Sequence, residues 1–444
     1  MRFVSLVGLT LTCACSLDAS YSESGLDSVD SGLDTGAGAE TGDEVTPGDP
    51  GYPDESTLPQ LGDCDGAEEG YIAPSSAPCT SGVVAWLDSD LSTYSSLAAA
   101  LRDATDGDTV NICPGTVTGS TSVSKSVTLR GYGVNRTILS GAWSSRVLQI
   151  SGDATIGVTG LTIAYGFDDY DGGSVTMSNG DVSFSHVRFE RNNAGYQGGA
   201  ISQTGGDLVV SESCFLFNGS DYEGGAIASS SGDLDITGTV FVYNDAGYEG
   251  GAIDFGGWDD GYELNISGGT FAWNIAGYSG GALSIGSWEE STVTVEDSRF
   301  EDNFAEYEGG AISLGSWGGN HLVMSGSALV ENESRSGAAI DVGGWGTHSA
   351  DLEDSWLLDN EATSEGGGLE VGSRCTATLL ISGGGVVGNI GSRGGGLSIT
   401  SSTALSVTDA HFGAGVGDNQ GGDVNEYSGW GAGATFTCAS SVCL

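Results

Sequence analysis

One phrase recurs along most of this chain and restricts its fold more than any other feature. In its most regular copy, Phe241 precedes Asn244 by three residues and the run Gly250-Gly251-Ala252-Ile253 follows. The asparagines of successive copies lie 26 to 30 residues apart. They are Asn192, Asn218, Asn244, Asn274, Asn303, Asn332, Asn360, Asn389 and Asn419. A period of this length indicates a solenoid in which each copy forms one coil.

The residues between the asparagines indicate that each coil consists of β-strands. Apolar pairs at period two, such as Leu234 and Ile236, precede the aromatic position by a constant distance. Coils stacked about 4.8 Å apart align like residues into ladders. Asparagine amides then bond to their counterparts above and below, phenylalanines fill the core, and paired glycines supply turns with positive φ. The pattern predicts an all-β chain with parallel strands.

The segments before the repeats resemble the first coil of a known fold. A helix-forming segment at 95–104 is followed by Gly107-Asp108-Thr109-Val110, by Pro114-Gly115 and by Val127-Thr128-Leu129-Arg130-Gly131. This order resembles the start of right-handed parallel β-helices of the pectin-lyase-like fold. The Phe-x-x-Asn and Gly-Gly-Ala repeats resemble those of chlamydial polymorphic membrane proteins. The resemblance implies a single right-handed parallel β-helix over 95–444 with a short capping helix at its N-terminal end.

The first 94 residues divide into three further segments. Residues 1–15 contain Arg2, an apolar run and the ending Leu11-Thr12-Cys13-Ala14-Cys15, which resembles a bacterial lipoprotein signal with Cys15 as the lipidated residue. An ordinary secretory signal is the alternative. Residues 16–60 are rich in Ser, Gly, Asp and Glu, so we expect a disordered acidic linker. Residues 61–94 are expected to form a loop-rich N-terminal cap.

The charge of the chain limits its partners. Sixty acidic residues against 12 basic ones give a formal net charge of −48. Nucleic acid is excluded as a partner, because phosphate binding needs lysine and arginine. We expect a monomer that contacts a membrane only through a lipid anchor, with glycans or another cell surface as its partner.

A column of tryptophans provides candidate ligand-binding residues. Each lies five residues after the apolar residue that follows the glycine turn, in a loop that only the middle coils contain. These residues are Trp258, Trp288, Trp317 and Trp345, with Arg374 in the same place in the next coil. A second column, Tyr196, Tyr222, Tyr248, Tyr278 and Tyr307, precedes the glycines. Aromatic faces stack on sugar rings, which predicts glycan binding, whereas lateral stacking that only shields the solenoid is the alternative.

Acidic clusters occur at 168–171, Asp259-Asp260 and Glu289-Glu290. Paired carboxylates do acid/base work in glycosidases and bind Ca²⁺, but a solvated acidic surface has the same composition. The resemblance implies Lys or Arg bases with Ca²⁺, or carboxylates with a nearby His, in enzymes of this fold. The single lysine, Lys125, precedes the repeats, so no catalytic residue is assigned. No cofactor is expected, Ca²⁺ is left open, and the metal is unknown.

The cysteines fit an exported protein. The expected pairs are Cys438 with Cys443 and Cys64 with Cys79. Cys113 competes for the second pair. Cys214 and Cys375 lie several coils apart, beyond the reach of about 7 Å between Cα atoms that a disulfide allows, and are expected to be buried free thiols.

Together these features predict an exported bacterial cell-surface protein, anchored to the outer membrane or secreted, with a structural or adhesive role and no evident catalytic site. One alternative is a carbohydrate-binding protein that uses the tryptophan column. The other is a polysaccharide lyase or hydrolase of the pectin-lyase-like fold. The sequence itself does not choose a ligand.

Overall fold

The computed structural model of this protein describes residues 60, 64–67, 70–74, 78–257, 261–286, 290–372, 374–400, 402–413, 419–420 and 424–426. The chain is nearly all β, with 52% strand and 3% helix, and winds into a parallel β-solenoid of about 10 turns. The parallel solenoid that the repeats predict is thereby confirmed. The predicted signal segment with Cys15, most of the predicted linker, and Cys438 and Cys443 lie outside the described residues.

Sheet 1 contains 23 strands and contributes two of them to most coils. Its strands are Ala85–Leu87, Thr93–Tyr94, Thr109–Ile112, Gly115–Thr118, Thr128–Arg130, Thr137–Ser140, Ile156–Ala164, Val182–Glu190, Leu208–Ser211, Cys214–Leu216, Leu234–Thr237, Val240–Val242, Glu263–Ser267, Thr270–Ala272, Ser291–Glu296, Arg299–Glu301, Asn320–Ser325, Ala328–Val330, Thr347–Glu353, Trp356–Leu358, Thr376–Ser382, Gly385–Val387 and Ser402–Thr408.

Sheets 2 and 3 complete each coil. Sheet 2 has nine strands: Phe167–Asp168, Asn193–Ala194, Gly219–Ser220, Asp245–Ala246, Ile275–Ala276, Phe304–Ala305, Glu333–Ser336, Glu361–Glu365 and Ile390–Arg393. Sheet 3 has 12 strands: Thr121–Val123, Leu148–Ile150, Val175–Met177, Ile201–Thr204, Ile227–Ser231, Ile253–Phe255, Leu283–Ile285, Ile312–Ser316, Ile340–Gly344, Leu369–Val371, Leu397–Ile399 and Val424–Glu426.

A ladder of phenylalanines fills the core beside sheet 1. Phe215, Phe241, Phe271 and Phe300 pair in register on successive parallel strands and are fully buried. Their ring centroids lie 4.7, 4.7 and 4.6 Å apart, with the planes within 5° of parallel. The spacing matches the rise between neighbouring strands, so identical residues at a fixed period pack without gaps.

A ladder of asparagines runs beside the phenylalanines. The Nδ2 of Asn274 donates to Oδ1 of Asn303 at 2.9 Å and to the carbonyl of Phe241 at 3.0 Å, while the backbone N–H of Asn274 donates to the same Oδ1 at 3.0 Å. The same pattern repeats from Asn192 to Asn419. Every buried amide of this ladder therefore satisfies polar groups of two neighbouring coils.

The residue before each asparagine turns the chain with a left-handed conformation. Phe217, Tyr243 and Trp273 have φ of 56, 55 and 53°, a region that glycine and asparagine usually occupy. Their rings stack on one another with centroids 5.2 and 5.3 Å apart. The repeats predict the bend but not its conformation, because the neighbouring ladder, not residue preference, holds it.

The predicted capping helix is present as α1, Leu97–Asp103. The Ser96 side chain accepts a hydrogen bond from Ala99 N at 3.2 Å and so caps the helix start. At the other end, Nζ of Lys125 donates to the carbonyls of Leu101, Arg102 and Ala104. The only lysine of the chain therefore caps a helix, which accounts for its position before the repeats.

The predicted Cys64–Cys79 pair is wrong. Cys64 bonds to Cys214 with a Cα–Cα distance of 5.4 Å, and Cys79 bonds to Cys113 at 5.6 Å. Cys214 was expected to be a free thiol, but it faces outward beside the inward-facing Phe215, where the short 3₁₀ helix Cys64–Ala67 covers it. The N-terminal segment folds back over the outside of the solenoid. Cys375 is buried and belongs to neither disulfide, as expected, and its Sγ donates to the carbonyls of Val342 and Gly372.

Candidate functional site

The outer face of sheet 3 carries one polar or small residue per coil. The second residue of each strand faces away from the core, because the residues on either side of it point inward. In register these second residues are Thr176, Ser202, Ala228, Asp254, Ser284, Ser313, Asp341, Glu370 and Ser398. Three of them are carboxylates, on a face where the other members are small.

A second column of carboxylates lies in the turn that leads into sheet 3. The residue before the first turn glycine pairs in parallel from coil to coil. In order these residues are Gln197, Glu223, Glu249, Ser279, Glu308 and Ser336. The column continues at its two ends with Asp171 and Glu365, which precede the turn glycines Gly172 and Gly366 and lie beside Arg146 and Arg393. We define the acidic groove as the six carboxylates of the two columns between these ends: Glu223, Glu249, Asp254, Glu308, Asp341 and Glu370. They occupy five of six consecutive coils, a length of about 24 Å.

A cavity of 230 Å³ opens in the first part of this groove. Glu223, Glu249 and Asp254 line it together with Tyr196. Gly256 and Gly257, which follow the strand Ile253–Phe255, form its far side. The two columns therefore face one common space.

Burial keeps the first group of carboxyl groups close to their protonated form. Burial, followed by the negative charges of Glu223 and Glu308, raises the pKa of Glu249 to about 7. Burial and the charges of Glu223 and Glu249 hold the pKa of Asp254 well above its usual value. Burial raises the pKa of Glu223 as well. Carboxyl groups near neutrality are typical of functional sites, although structural networks also produce them.

The same arrangement recurs three coils further on. Burial raises the pKa of Glu370 to about 7, with Glu308 contributing. Burial and the charges of Glu370 and Glu308 hold the pKa of Asp341 well above its usual value. The coil between the two groups has Ser279 and Ser284 at the equivalent positions. The groove thus contains two clusters of three carboxyl groups.

Asp341 is the least satisfied member of the groove. Its residue is only 3% exposed, and its Oδ2 atom has no hydrogen-bond partner. A Cβ added to Gly343 would lie 2.9 Å from this oxygen, so a side chain at that position would collide with it. A buried carboxylate oxygen without a donor is costly, and such atoms are few in native proteins.

The predicted tyrosine column borders the groove on one side. Tyr196, Tyr222, Tyr248, Tyr278 and Tyr307 stack with ring centroids 5.1, 5.0, 4.9 and 5.0 Å apart. Tyr196, Tyr222 and Tyr307 are exposed. The charge of Glu308, followed by burial, raises the pKa of Tyr278, which places this ring beside the carboxylates. The column forms a continuous aromatic edge.

The predicted tryptophan column lies at the opposite end of the sheet 3 strands. Trp317 follows the strand Ile312–Ser316, and Trp345 follows Ile340–Gly344. The two rings stack at 5.6 Å, are 59 and 57% exposed, and the Arg374 guanidinium lies 5.3 Å from the ring of Trp345. Trp258 and Trp288 lie outside the described residues.

Of the acidic clusters that the sequence singles out, only 168–171 is fully described, and an arginine lies against it. Asp168 pairs with Arg146 at 3.0 Å, and Arg146 also donates to the carbonyls of Asp171 and Gly172. Residues 259, 260 and 289 lie outside the described part, and Glu290 is exposed. The groove carboxylates escape notice because they are single residues in separate coils. Reading the residue after each Ile or Leu that follows the glycine turn would reveal Asp254, Asp341 and Glu370.

Among the described residues, no three His, Cys, Asp or Glu side chains are placed so that they could hold a metal ion. Within the same residues, no helix has the length and apolar character needed to cross a membrane.

The fold and the groove define a class: parallel β-solenoid proteins with an elongated acidic groove between aromatic edges. No protein-family model, curated protein or solved structure matches this chain. The similarity to chlamydial repeats and to the pectin-lyase-like fold stays a prediction, and the function is argued from the groove.

Proposed function

We propose that this chain is an exported bacterial cell-surface protein with an adhesive role, and that it binds a glycan along the acidic groove. The observation that carries the proposal is the continuous tyrosine edge beside buried carboxylates. Aromatic faces with a few convergent polar groups are the usual means of binding sugar rings.

The shape of the groove supports a polymeric ligand. The carboxylate columns extend over about 24 Å and repeat with the rise of the coils, about 4.8 Å. A compact ligand would bury most of its surface in one enclosed pocket, whereas the cavity in the groove measures 230 Å³ and opens to the surface. An extended chain of sugar rings fits such a surface better than a small molecule.

Hydrolysis of the bound glycan is the second candidate function. It is favoured by the pKa of Glu249 and of Glu370, both about 7, because a protonated carboxyl group is the general acid of glycoside hydrolysis.

The proposal of a cell-surface protein includes three further points. These are export with a lipid on Cys15, attachment to the outer membrane and a monomeric state. A Cys15→Ser variant that still incorporates labelled fatty acid would contradict the lipid anchor.

The test is binding to a glycan array, followed by incubation of each bound glycan with the protein and analysis of released sugars. Retention without products supports a binding protein, and release of shorter chains supports a hydrolase. Replacing Tyr222 and Tyr248 by Ala should reduce retention, while replacing the exposed Phe217, which lies in the bend before Asn218, should not. Absence of any glycan binding would overturn the proposal.

A further inference from the structure

The six carboxyl groups that define the acidic groove have no basic side chain as a partner in the described part of the chain. Arg393 pairs with Glu365, which directly precedes the turn glycine Gly366. Arg374 lies over Trp345 at the other edge of sheet 3. Buried ionised carboxylates are normally paired, so a cationic ligand would stabilise the ionised form of these groups.

Some oxygens of the groove already have neutral donors. Nε2 of Gln197 donates to Glu223, and serine hydroxyls bond to Asp254 and Glu370. The Oδ2 atom of Asp341 has no donor, although the residue is 97% buried. Gly343 lies next to this oxygen, and a side chain there would collide with it. No described residue donates to this oxygen, so a ligand can supply the donor.

We propose that the acidic groove recognises a glycan with free amino groups. Its ammonium groups donate to Asp341 and Asp254, while its rings lie against the tyrosine edge. This inference rests on the proposed glycan binding and names the class of glycan. Asp254 and Asp341 are three coils apart, about 14 Å, so one extended chain with amines on several sugars reaches both clusters.

Electrostatics favours this class over acidic polysaccharides. The chain has a formal net charge of −48, and pectins or alginates would meet like charges in the groove. An ammonium group supplies three donors and a full charge, which offsets the cost of ionising a buried carboxyl group. A neutral glycan offers hydroxyl donors only and leaves the carboxyl groups protonated.

The experiment compares two oligosaccharides of equal length by calorimetric titration at neutral pH. One is an oligomer of glucosamine, and the other is the same oligomer with every amine acetylated, which removes the charge and keeps the rings. We expect the amine oligomer to bind at least about tenfold more tightly. Asp341→Asn and Asp254→Asn should each abolish most of that preference.

The matched control is Glu353→Gln, which removes one negative charge from an exposed residue on sheet 1, in the same coil as Asp341. It should leave the preference unchanged, and thermal melts should show all three variants folded. Equal binding of the two oligomers overturns the amino-glycan inference but leaves glycan binding standing. If neither binds, and no other glycan does, both proposals fail.

Two further outcomes would also overturn the inference. An equal loss of preference in Glu353→Gln would show that the whole surface attracts cations without a site. Binding of the acetylated oligomer only when Ca²⁺ is added, at the affinity of the amine oligomer, would show that the groove takes a metal ion in place of an amine.

Discussion

The asparagine ladder and the acidic groove run along the same coils but treat buried polar atoms in opposite ways. In the ladder, Oδ1 of Asn303 accepts from Asn274 N and Nδ2, and Nδ2 of Asn303 donates to Asn332 and to Phe271. In the groove, Oδ2 of Asp341 has no partner. Asparagine and aspartate have nearly the same shape, so the difference lies in which hydrogen bonds the fold completes.

The comparison separates stability from recognition. Polar atoms whose hydrogen bonds are all made within the protein hold neighbouring coils in register and have no hydrogen-bonding capacity left for a ligand. Polar atoms that the fold leaves unsatisfied lower its stability, and such exceptions concentrate where a protein binds something else. The ladder thus explains why the coils stack, and the groove is where we expect a partner to bind.

The largest expected effect on stability comes from a variant that interrupts the asparagine ladder. Asn303→Ala removes the acceptor of Asn274 and the donor to Phe271 and Asn332, so several buried groups lose their partners. We expect the free energy of unfolding to fall by about 4 kcal/mol, measured by urea denaturation. Asn265→Ala, on the exposed side of sheet 1, is the control and should cost less than about 0.5 kcal/mol. Similar losses in both variants would show that the ladder contributes little.

The second effect is a pH dependence that comes from the groove. Glu249 and Glu370 have a pKa of about 7 in the folded protein and an ordinary value of 4.5. The folded state therefore binds their protons more tightly than the unfolded state. Their contribution to stability is complete below the unfolded pKa and is lost as the pH rises through about 7.

We expect the free energy of unfolding to fall by about 2 kcal/mol for each of these two groups between roughly pH 5 and pH 8. The double variant Glu249→Gln, Glu370→Gln should flatten that part of the profile in denaturation curves. A fall of the same size in the double variant would assign the pH dependence to other carboxylates of this acidic chain.

The third expected effect is smaller, and it changes the free energy of unfolding in the opposite direction to Asn303→Ala. Asp341→Asn replaces an unsatisfied carboxyl group by a neutral amide of the same volume, which lowers the cost of burial. We expect a gain of about 1 kcal/mol at neutral pH, measured by urea denaturation, together with loss of ligand binding. A loss of stability comparable to that of Asn303→Ala would mean that Asp341 is a structural residue.

The fold follows from the sequence because the solenoid is periodic. Once Phe241 and Asn244 recur at one spacing, parallel pairing places each copy above the last, and both ladders follow. The disulfide between Cys64 and Cys214 could not be derived in this way. It depends on a segment outside the repeats that returns across the solenoid, where Tyr71 donates to the Gly131 carbonyl at 2.7 Å.

The candidate site is only half predictable from the sequence. The tyrosine and tryptophan columns can be predicted from the sequence because one residue type recurs at the same position of successive repeats. The groove cannot, because its columns alternate carboxylates with serine and alanine, as at Ala228, Asp254 and Ser284. The cluster forms only when strand register brings these scattered carboxyl groups together, and burial then raises their pKa values.

The smallest expected effect tests whether the tyrosine edge belongs to the ladder or to the groove. Tyr248 stacks between Tyr222 and Tyr278 with centroids 5.0 and 4.9 Å away, as a residue with a purely structural role would. The ring is partly exposed, so Tyr248→Ala should cost only about 0.5 kcal/mol in urea denaturation, and Tyr248→Phe should cost nothing measurable. If the edge binds sugar rings, Tyr248→Ala weakens retention on glycans far more than this small loss explains, and Tyr248→Phe keeps it. A large loss of stability with unchanged glycan retention would instead assign the column to lateral stacking of the coils.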